Sequence, residues 1–261
     1  VTDDSTTLGR QGWRNGLFTL SGKQTSVLDR VDAAVLGWAH ELGAVAERHA
    51  ELFTAEQLER VGYFDSFPHL AHRVRPWMAG DGTEEDLVLT SASCYGVYFS
   101  RSGGAVEDRT VLTVRQTCRR REDEYVPLRR QREFQMREVV FLGTEATVEA
   151  LLGEGLEAVR RIAEEFGVPG SFKAATDPFF RRDDPRLLHQ KLFPTKQEFV
   201  DVSGLAVASV NSHRNFFGER CGMRLSDGTP AFTGCVAFGL ERWVDAVLRA
   251  DDSSDGLGER V

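Results

Sequence analysis

The stretch AFTGCVAFGLERWVDAVL, Ala231–Leu248, joins an apolar, cysteine-bearing strand to an amphipathic helix through Gly239-Leu240-Glu241-Arg242. Arg242 falls in the first turn of that helix. A helix N-terminus gathers unpaired backbone N–H groups and the positive end of the helix dipole, so a guanidinium placed there makes a seat for phosphate oxygens. The stretch therefore points to a nucleotide site built where a strand meets a helix.

Working outward, Gln197–Val202 and Leu205–Asn211 read as further strands, and Thr144–Phe166 as an amphipathic helix. Its apolar set is Val148, Leu151, Leu152, Leu156, Val159, Ile162 and Phe166, closed by Gly167. Val111–Cys118 and Arg132–Leu142 read as strands joined by the charged run Arg119–Arg132, and Leu87–Phe99 as another strand. Ser26 caps a helix through Val27, Val31, Val35, Trp38, Leu42 and Val45, and Thr54 with Gln57 forms a capping box for a short helix ending near Gly62. Mostly antiparallel strands with helices before and after predict an α+β domain over residues 1–250, helices of 26–62 included, rather than a Rossmann sheet. The Ser/Asp/Gly tail 251–261 is expected to be disordered.

A formal net charge of -8 gives no general basic surface for binding a polyphosphate backbone. The cysteines Cys94, Cys118, Cys221 and Cys235 are widely spread, unlike a secreted disulfide scaffold, and no leader or long apolar run is evident. A cytoplasmic protein with reduced thiols and no membrane association is expected. Gly103-Gly104 is too short for a phosphate-binding loop and reads as a turn; the histidines show no HExxH signature, and pairing His213 or His189 with a cysteine nucleophile would need a spatial argument. Glu138 shares a strand face with Phe134, Met136 and Val140, where an unpaired carboxylate is costly and needs a cation or a hydrogen-bond partner. From spacing alone, with no close-spaced CxxC to signal metal, Cys94 and Cys235 read as small buried hydrophobes and Glu138 as the partner of an arginine.

Six segments together resemble one family: YFDSFPHL (63–70), LTSASCYGVYF (89–99), TCRRRE with REFQMREVVFLG (117–122 and 132–143), ATDPFF (175–180), ASVNSHRNFFG (208–218) and FTGCVAFGLERW (232–243). The chain is similar, from about Tyr63 to Leu248, to the amino acid:[carrier protein] ligases, relatives of the atypical zinc-dependent seryl-tRNA synthetase. The resemblance implies a class II aminoacyl-tRNA synthetase-like antiparallel sheet flanked by helices, in a homodimer. It implies one Zn2+ per chain on Cys94, Glu138 and Cys235, a donor set that suits zinc with an open fourth position. Arg120 with Glu122 is the best match to motif 2, although a one-residue shift would turn Arg119 or Arg121 to the site instead; Arg242 matches motif 3. The same resemblance places Lys196, Glu198, Ser209, Asn211 and Glu241 around ATP, its Mg2+ and the substrate.

The activity so implied has two steps: ATP-dependent formation of an aminoacyl adenylate from a small amino acid, glycine or alanine, then transfer to the phosphopantetheine thiol of a carrier protein. Arg160 and Arg161, on the helix after motif 2, are candidate docking residues for an acidic carrier. Transfer to tRNA or another acceptor, or a non-catalytic synthetase-like module, are the alternatives, and the acidic balance argues against tRNA.

Overall fold

The computed structural model describes residues 15–75, 86–175 and 195–255; residues 176–180 of the ATDPFF segment, His189 and residues 256–261 lie outside them. The first helix, α1 (Gly22–Glu41), is capped by Ser21, whose hydroxyl accepts the Gln24 amide while the Gln24 side chain accepts the Ser21 amide. This capping box lies upstream of the expected Ser26. Gly43, at φ 76°, turns the chain out of the helix, so Val45 lies in strand β1 (Val45–Glu47) rather than in the helix. β2 (Leu52–Thr54) leads through the predicted Thr54–Gln57 box into α2 (Ala55–Arg60), followed by α3 (Tyr63–Ser66), a 3-10 turn at Pro68–Leu70, and β3 (Arg73–Val74).

The segment expected as one strand over Leu87–Phe99 divides into β4 (Leu87–Leu89) and α4 (Cys94–Ser100). A short apolar run cannot distinguish a buried strand from a buried helix by period alone, and here Cys94, Gly96, Val97, Tyr98 and Phe99 are all buried. The consequence is that Cys94 opens a helix. β5 (Thr110–Arg119), β6 (Glu133–Gly143) and α5 (Glu145–Glu165, capped by Thr144) follow. Then come β7 (Gly170–Ala174), β8 (Lys196–Asp201), β9 (Ala206–Arg214), α6 (Phe216–Arg220), β10 (Phe232–Gly239) and α7 (Leu240–Asp255). Residues 251–255, expected to belong to a disordered tail, continue α7.

Seven strands form one sheet in the order β1-β5-β6-β10-β9-β8-β7, and β2-β4-β3 form a smaller one. β1 pairs parallel with β5, and the remaining pairs are antiparallel, so the sheet is mixed. Strand alternation gives the large sheet two distinct faces. Val139 and Phe141 of β6, with Val236 and Phe238 of β10, pack against Val31 and Val35 of α1, Leu151 and Val159 of α5, and Trp243 and Val247 of α7. Val140 and Leu142 of β6, with Cys235 of β10, face the layer of α2, α3, α4 and α6. Gly155 lets α5 lie close on β10, since a Cβ there would come within 2.5 Å of a Val236 methyl.

Candidate active site

A cavity of about 580 Å³ opens on the face of the sheet away from α1, α5 and α7. Its floor is made by alternate residues of four neighbouring strands: Phe134, Met136 and Glu138 of β6, Cys235 and Ala237 of β10, Ser209, Asn211 and His213 of β9, and Lys196 and Glu198 of β8. Cys94 and Tyr95 of α4, Tyr63 of α3, the loop 120–131 and Arg242 of α7 wall it.

At one end, Cys94, Glu138 and Cys235 bring their ligand atoms within 4.8 Å of one another, all buried. Cys235 and Glu138 come from adjacent strands, offset by a few residues in the β6–β10 register, and Cys94 descends on them from the start of α4. One Glu138 carboxylate oxygen accepts the Ser93 amide at 3.0 Å, and among the described residues no lysine or arginine forms an ion pair with it. The expected arginine alternative for Glu138 is therefore not what the fold builds: its neighbour Arg137 points to the other face. The Cys94 thiol is pushed well above its ordinary value by its hydrogen bond with Cys235, then by burial and the Glu138 charge. At Cys235 the bond with Cys94 opposes burial and Glu138, and the net shift is upward. Two thiols and a carboxylate crowded without a cation fit a dication of zinc type, which holds such ligands deprotonated.

The other end is cationic. Arg120 donates from Nε to the Ser91 carbonyl at 2.9 Å and lies over the Phe134 ring, 5.2 Å from its centroid. Of the three consecutive arginines Arg120 lines the cavity, whereas Arg119 pairs outward with Glu51 at 2.8 Å and Glu133 at 2.7 Å and Arg121 is exposed. Arg242 is braced by the Arg129 carbonyl at 2.9 Å and the Ala206 carbonyl at 3.0 Å. Burial and then the nearby Arg120 charge push Arg242 below its ordinary value, while Glu198 and Glu122 pull it back. Guanidinium groups held together in a partly buried cavity can pair with an anion.

Glu122 lines the same cavity, and its amide donates to the Tyr125 hydroxyl at 3.2 Å. Lys196 and Glu198 form an ion pair at 3.2 Å. The Asn211 amide donates to Ser209 at 3.0 Å and to the Cys235 sulfur at 3.4 Å, placing it at the junction of the two ends. Glu241 is buried with both oxygens accepting the Gln135 amide, at 3.0 and 2.9 Å; burial outweighs those donors and pushes its carboxyl up to about 7. Arg160 and Arg161 do not reach the cavity. They lie on α5, over the opposite face of the sheet, paired with Glu157 and Glu41.

Among the cavity residues outside the expected site are Arg130, Phe134 and His213. Arg130 was merged into a charged connection, although it recurs on the far side of the loop from Arg120; the position of Phe134, two pairs of residues before Glu138 on one strand face, was the available signal. His213 carried none, because only β9 alignment against β10 brings it to Cys235. Cys118, its thiol pushed up to about 12 mainly by burial, and Cys221 do not line the cavity.

A mixed sheet flanked by helices, with a cavity on the face away from α1, α5 and α7, has the class II aminoacyl-tRNA synthetase-like fold. Superposition on M. kandleri SerRS, solved in complex with A. aeolicus tRNASec, gives a TM-score of 0.79 at 21% identity over 94% of this chain. Giardia lamblia prolyl-tRNA synthetase in complex with prolyl-adenylate gives 0.75 at 13% identity. The chain spans about half the length of these solved structures, 56% and 50%. No family model matches the sequence. It is 31% identical to amino acid–[acyl-carrier-protein] ligase 1 of Bradyrhizobium diazoefficiens over 90% of this chain and 79% of that protein, and 32% identical to ligase 2 of the same organism over 89% and 77%. The chain belongs to the amino acid–[acyl-carrier-protein] ligases. It is a ligase, and among its described residues no helix is long and apolar enough to cross a membrane.

Proposed function

We propose that this chain activates a small amino acid, glycine or alanine, with ATP and passes it to the phosphopantetheine thiol of a carrier protein. The observation that carries the reading is that one cavity holds both the Cys94–Glu138–Cys235 cluster and the arginines Arg120 and Arg242. A carboxylate oxygen of the amino acid attacks the α-phosphorus of ATP. The bond to the bridging oxygen breaks, and pyrophosphate leaves. Arg120 steadies the α-phosphate, Arg242 and Arg130 the outer phosphates accompanied by Mg2+, and the face of Phe134 offers the base a stacking surface. These are charges fixed in place before the reaction, where they contribute most. Lys196, Glu198 and Glu241 shape the polar wall around the substrate and nucleotide, and Glu122 keeps the arginine cluster from excess positive charge.

Cys94, Glu138 and Cys235 would hold zinc, which when bound supplies an open position for an unprotonated α-amino nitrogen. Ser93 orients the Glu138 carboxylate through its amide. In the second step the carrier thiol, as thiolate, attacks the carbonyl carbon of the adenylate, and AMP leaves with the bonding electrons. The net charge of -8 favours this acceptor over tRNA, whose backbone demands many cationic contacts.

Amino-acid-dependent exchange of pyrophosphate into ATP, run across the common amino acids, tests activation; transfer to a phosphopantetheinylated carrier, set beside tRNA, tests the acceptor. Exchange with glycine or alanine and transfer to the carrier are expected. Exchange with no amino acid would defeat the activation step, and transfer to tRNA alone would defeat the acceptor.

A further inference from the structure

Cys94 and Cys235 reach the cavity from elements far apart in the chain, and behind the thiols a contact joins α4 to β9, the strand beside β10. Tyr98, one helical turn after Cys94 on α4 and fully buried, places its phenol oxygen 3.1 Å from Nδ1 of His213. His213 lies on β9 two residues beyond Asn211, so the two side chains share a face, and Asn211 stands opposite Cys235 in the β9–β10 register. Nε2 of His213 is 3.9 Å from the Cys235 sulfur, to which Asn211 already donates at 3.4 Å. Phe217 stacks on Tyr98 with centroids 4.1 Å apart and meets the His213 ring edge-on at 5.2 Å, so both rings are held by packing.

We infer that Tyr98 and His213 are positioning residues for the Cys94–Glu138–Cys235 site: the phenol donates to Nδ1, which fixes the imidazole as its Nε2–H tautomer and turns that proton toward the Cys235 sulfur. This rests on the metal reading above. A neutral imidazole has one N–H and one lone pair, so an accepting Nδ1 leaves the proton on Nε2. A donor aimed at a thiolate tempers its charge and holds its direction, and such outer partners tune both metal affinity and ligand geometry. The same hydrogen bond ties the helix that carries Cys94 to the strand beside Cys235. It therefore governs how the two sulfurs face each other, which neither strand register nor helix packing does alone.

The test uses the whole 261-residue chain with Tyr98→Phe, His213→Ala, His213→Gln and the double variant Tyr98→Phe/His213→Ala. Zinc affinity is read by chelator competition, and ligand geometry by the thiolate-to-metal absorption of the Co2+-substituted protein. Tyr98→Phe keeps the ring on Phe217 and removes only the hydroxyl. It and His213→Ala should each weaken zinc binding about 10- to 100-fold and shift the cobalt band. The double variant should be no weaker than His213→Ala, because the two residues act as one chain. His213→Gln, whose amide can donate where Nε2 stood, should recover most of the loss. Wild-type affinity and an unmoved band in Tyr98→Phe and His213→Ala would overturn the inference while leaving the metal reading intact. Loss of binding in His213→Gln with an unaffected Tyr98→Phe would overturn it in favour of direct ligation by the imidazole. A wild-type protein that takes up neither zinc nor cobalt would overturn both readings together.

Discussion

Arg137 and Glu138 are neighbours on β6 and both buried, yet they meet opposite fates because consecutive strand residues face opposite sides of the sheet. On the helix-covered side, Arg137 grips Asp32 of α1 through Nε at 2.7 Å and a second nitrogen at 2.9 Å, and Arg115 adds a bond to the same carboxylate at 2.9 Å. That charge is neutralised within the chain. On the cavity side, Glu138 faces two thiols and an amide and has no cationic side chain paired with it among the described residues. A buried charge completed internally is structural; one left incomplete, beside groups that are themselves metal ligands, invites a partner from outside.

The contrast breaks most decisively at Glu138. Cys94→Ser, Glu138→Ala or Cys235→Ser should each lose the bound zinc, expected at close to one per chain, and reduce adenylate formation by on the order of 10³-fold or more, as one of three protein ligands disappears. Metal analysis and pyrophosphate exchange on the same preparations read both effects; a metal-free protein with full exchange would end the zinc proposal. On the other face, Asp32→Ala leaves Arg137 buried without its partner and should destabilise the fold by about 3–5 kcal/mol in chemical denaturation, with zinc content unchanged in the folded fraction. Replacing Asp32 and Arg137 together by leucine and methionine should recover much of that loss. If Asp32→Ala instead strips the metal at no cost in stability, the two faces are not independent.

Legibility in the sequence followed the same division. The long strands and α5 were readable because a half-buried element repeats its apolar positions at its own period, as Val148, Leu151, Leu152, Val159 and Ile162 do. α4 was not, since five of its seven residues are buried and the apolar run carries no period to read. β1 and β7 are short edge strands whose pairing depends on distant partners. Within the site, Cys94, Glu138, Cys235, Arg120 and Arg242 were placed through family resemblance, and the cavity brings them together. Spacing could not have done so: Cys94 and Cys235 meet only through the packing of α4 on the large sheet, and the Tyr98–His213 contact spans 115 residues of sequence. The earlier start of α1 was legible, because Ser21 and Gln24 have the Ser-x-x-Gln spacing of a capping box.

Arg242→Ala tests the cationic end. It removes a guanidinium already aimed by two backbone carbonyls, so adenylate formation should fall on the order of 10²- to 10³-fold while fold and zinc content persist. An unchanged exchange rate in folded protein would exclude it from the phosphate site. Glu241 gives a gentler, pH-dependent effect. Its ordinary value is 4.5 and burial lifts the folded-state value to about 7, so the fold binds the proton more tightly than the unfolded chain. The stabilisation is complete below 4.5 and declines as pH rises through 7, by about 3 kcal/mol at most. Glu241→Gln, neutral throughout, should flatten that part of the stability profile; a wild-type profile parallel to that of the variant between pH 4.5 and 7 would show that Glu241 stays ionised.

The smallest effect is expected where the sheet's helix-covered face meets a partner. Arg160 and Arg161 are about half exposed, but each is committed to a glutamate, and Arg160 also covers the Phe172 ring at 5.1 Å. α5 carries Glu145, Glu149, Glu154, Glu157, Glu164 and Glu165 beside them, so its field toward an acidic carrier is mixed rather than attractive. Reversing a charge at the rim of an interface acts mainly on the association rate. Arg160→Glu with Arg161→Glu should therefore slow transfer to the carrier only about 3- to 10-fold at low salt, lose that difference at high salt, and leave pyrophosphate exchange unaltered because α5 lies across the sheet from the cavity. The control is Arg121→Glu, at an exposed position beside Arg120. If that change slows transfer while the α5 pair does not, the carrier approaches on the cavity face, and the helix-covered side is structural at its surface as well as in its core.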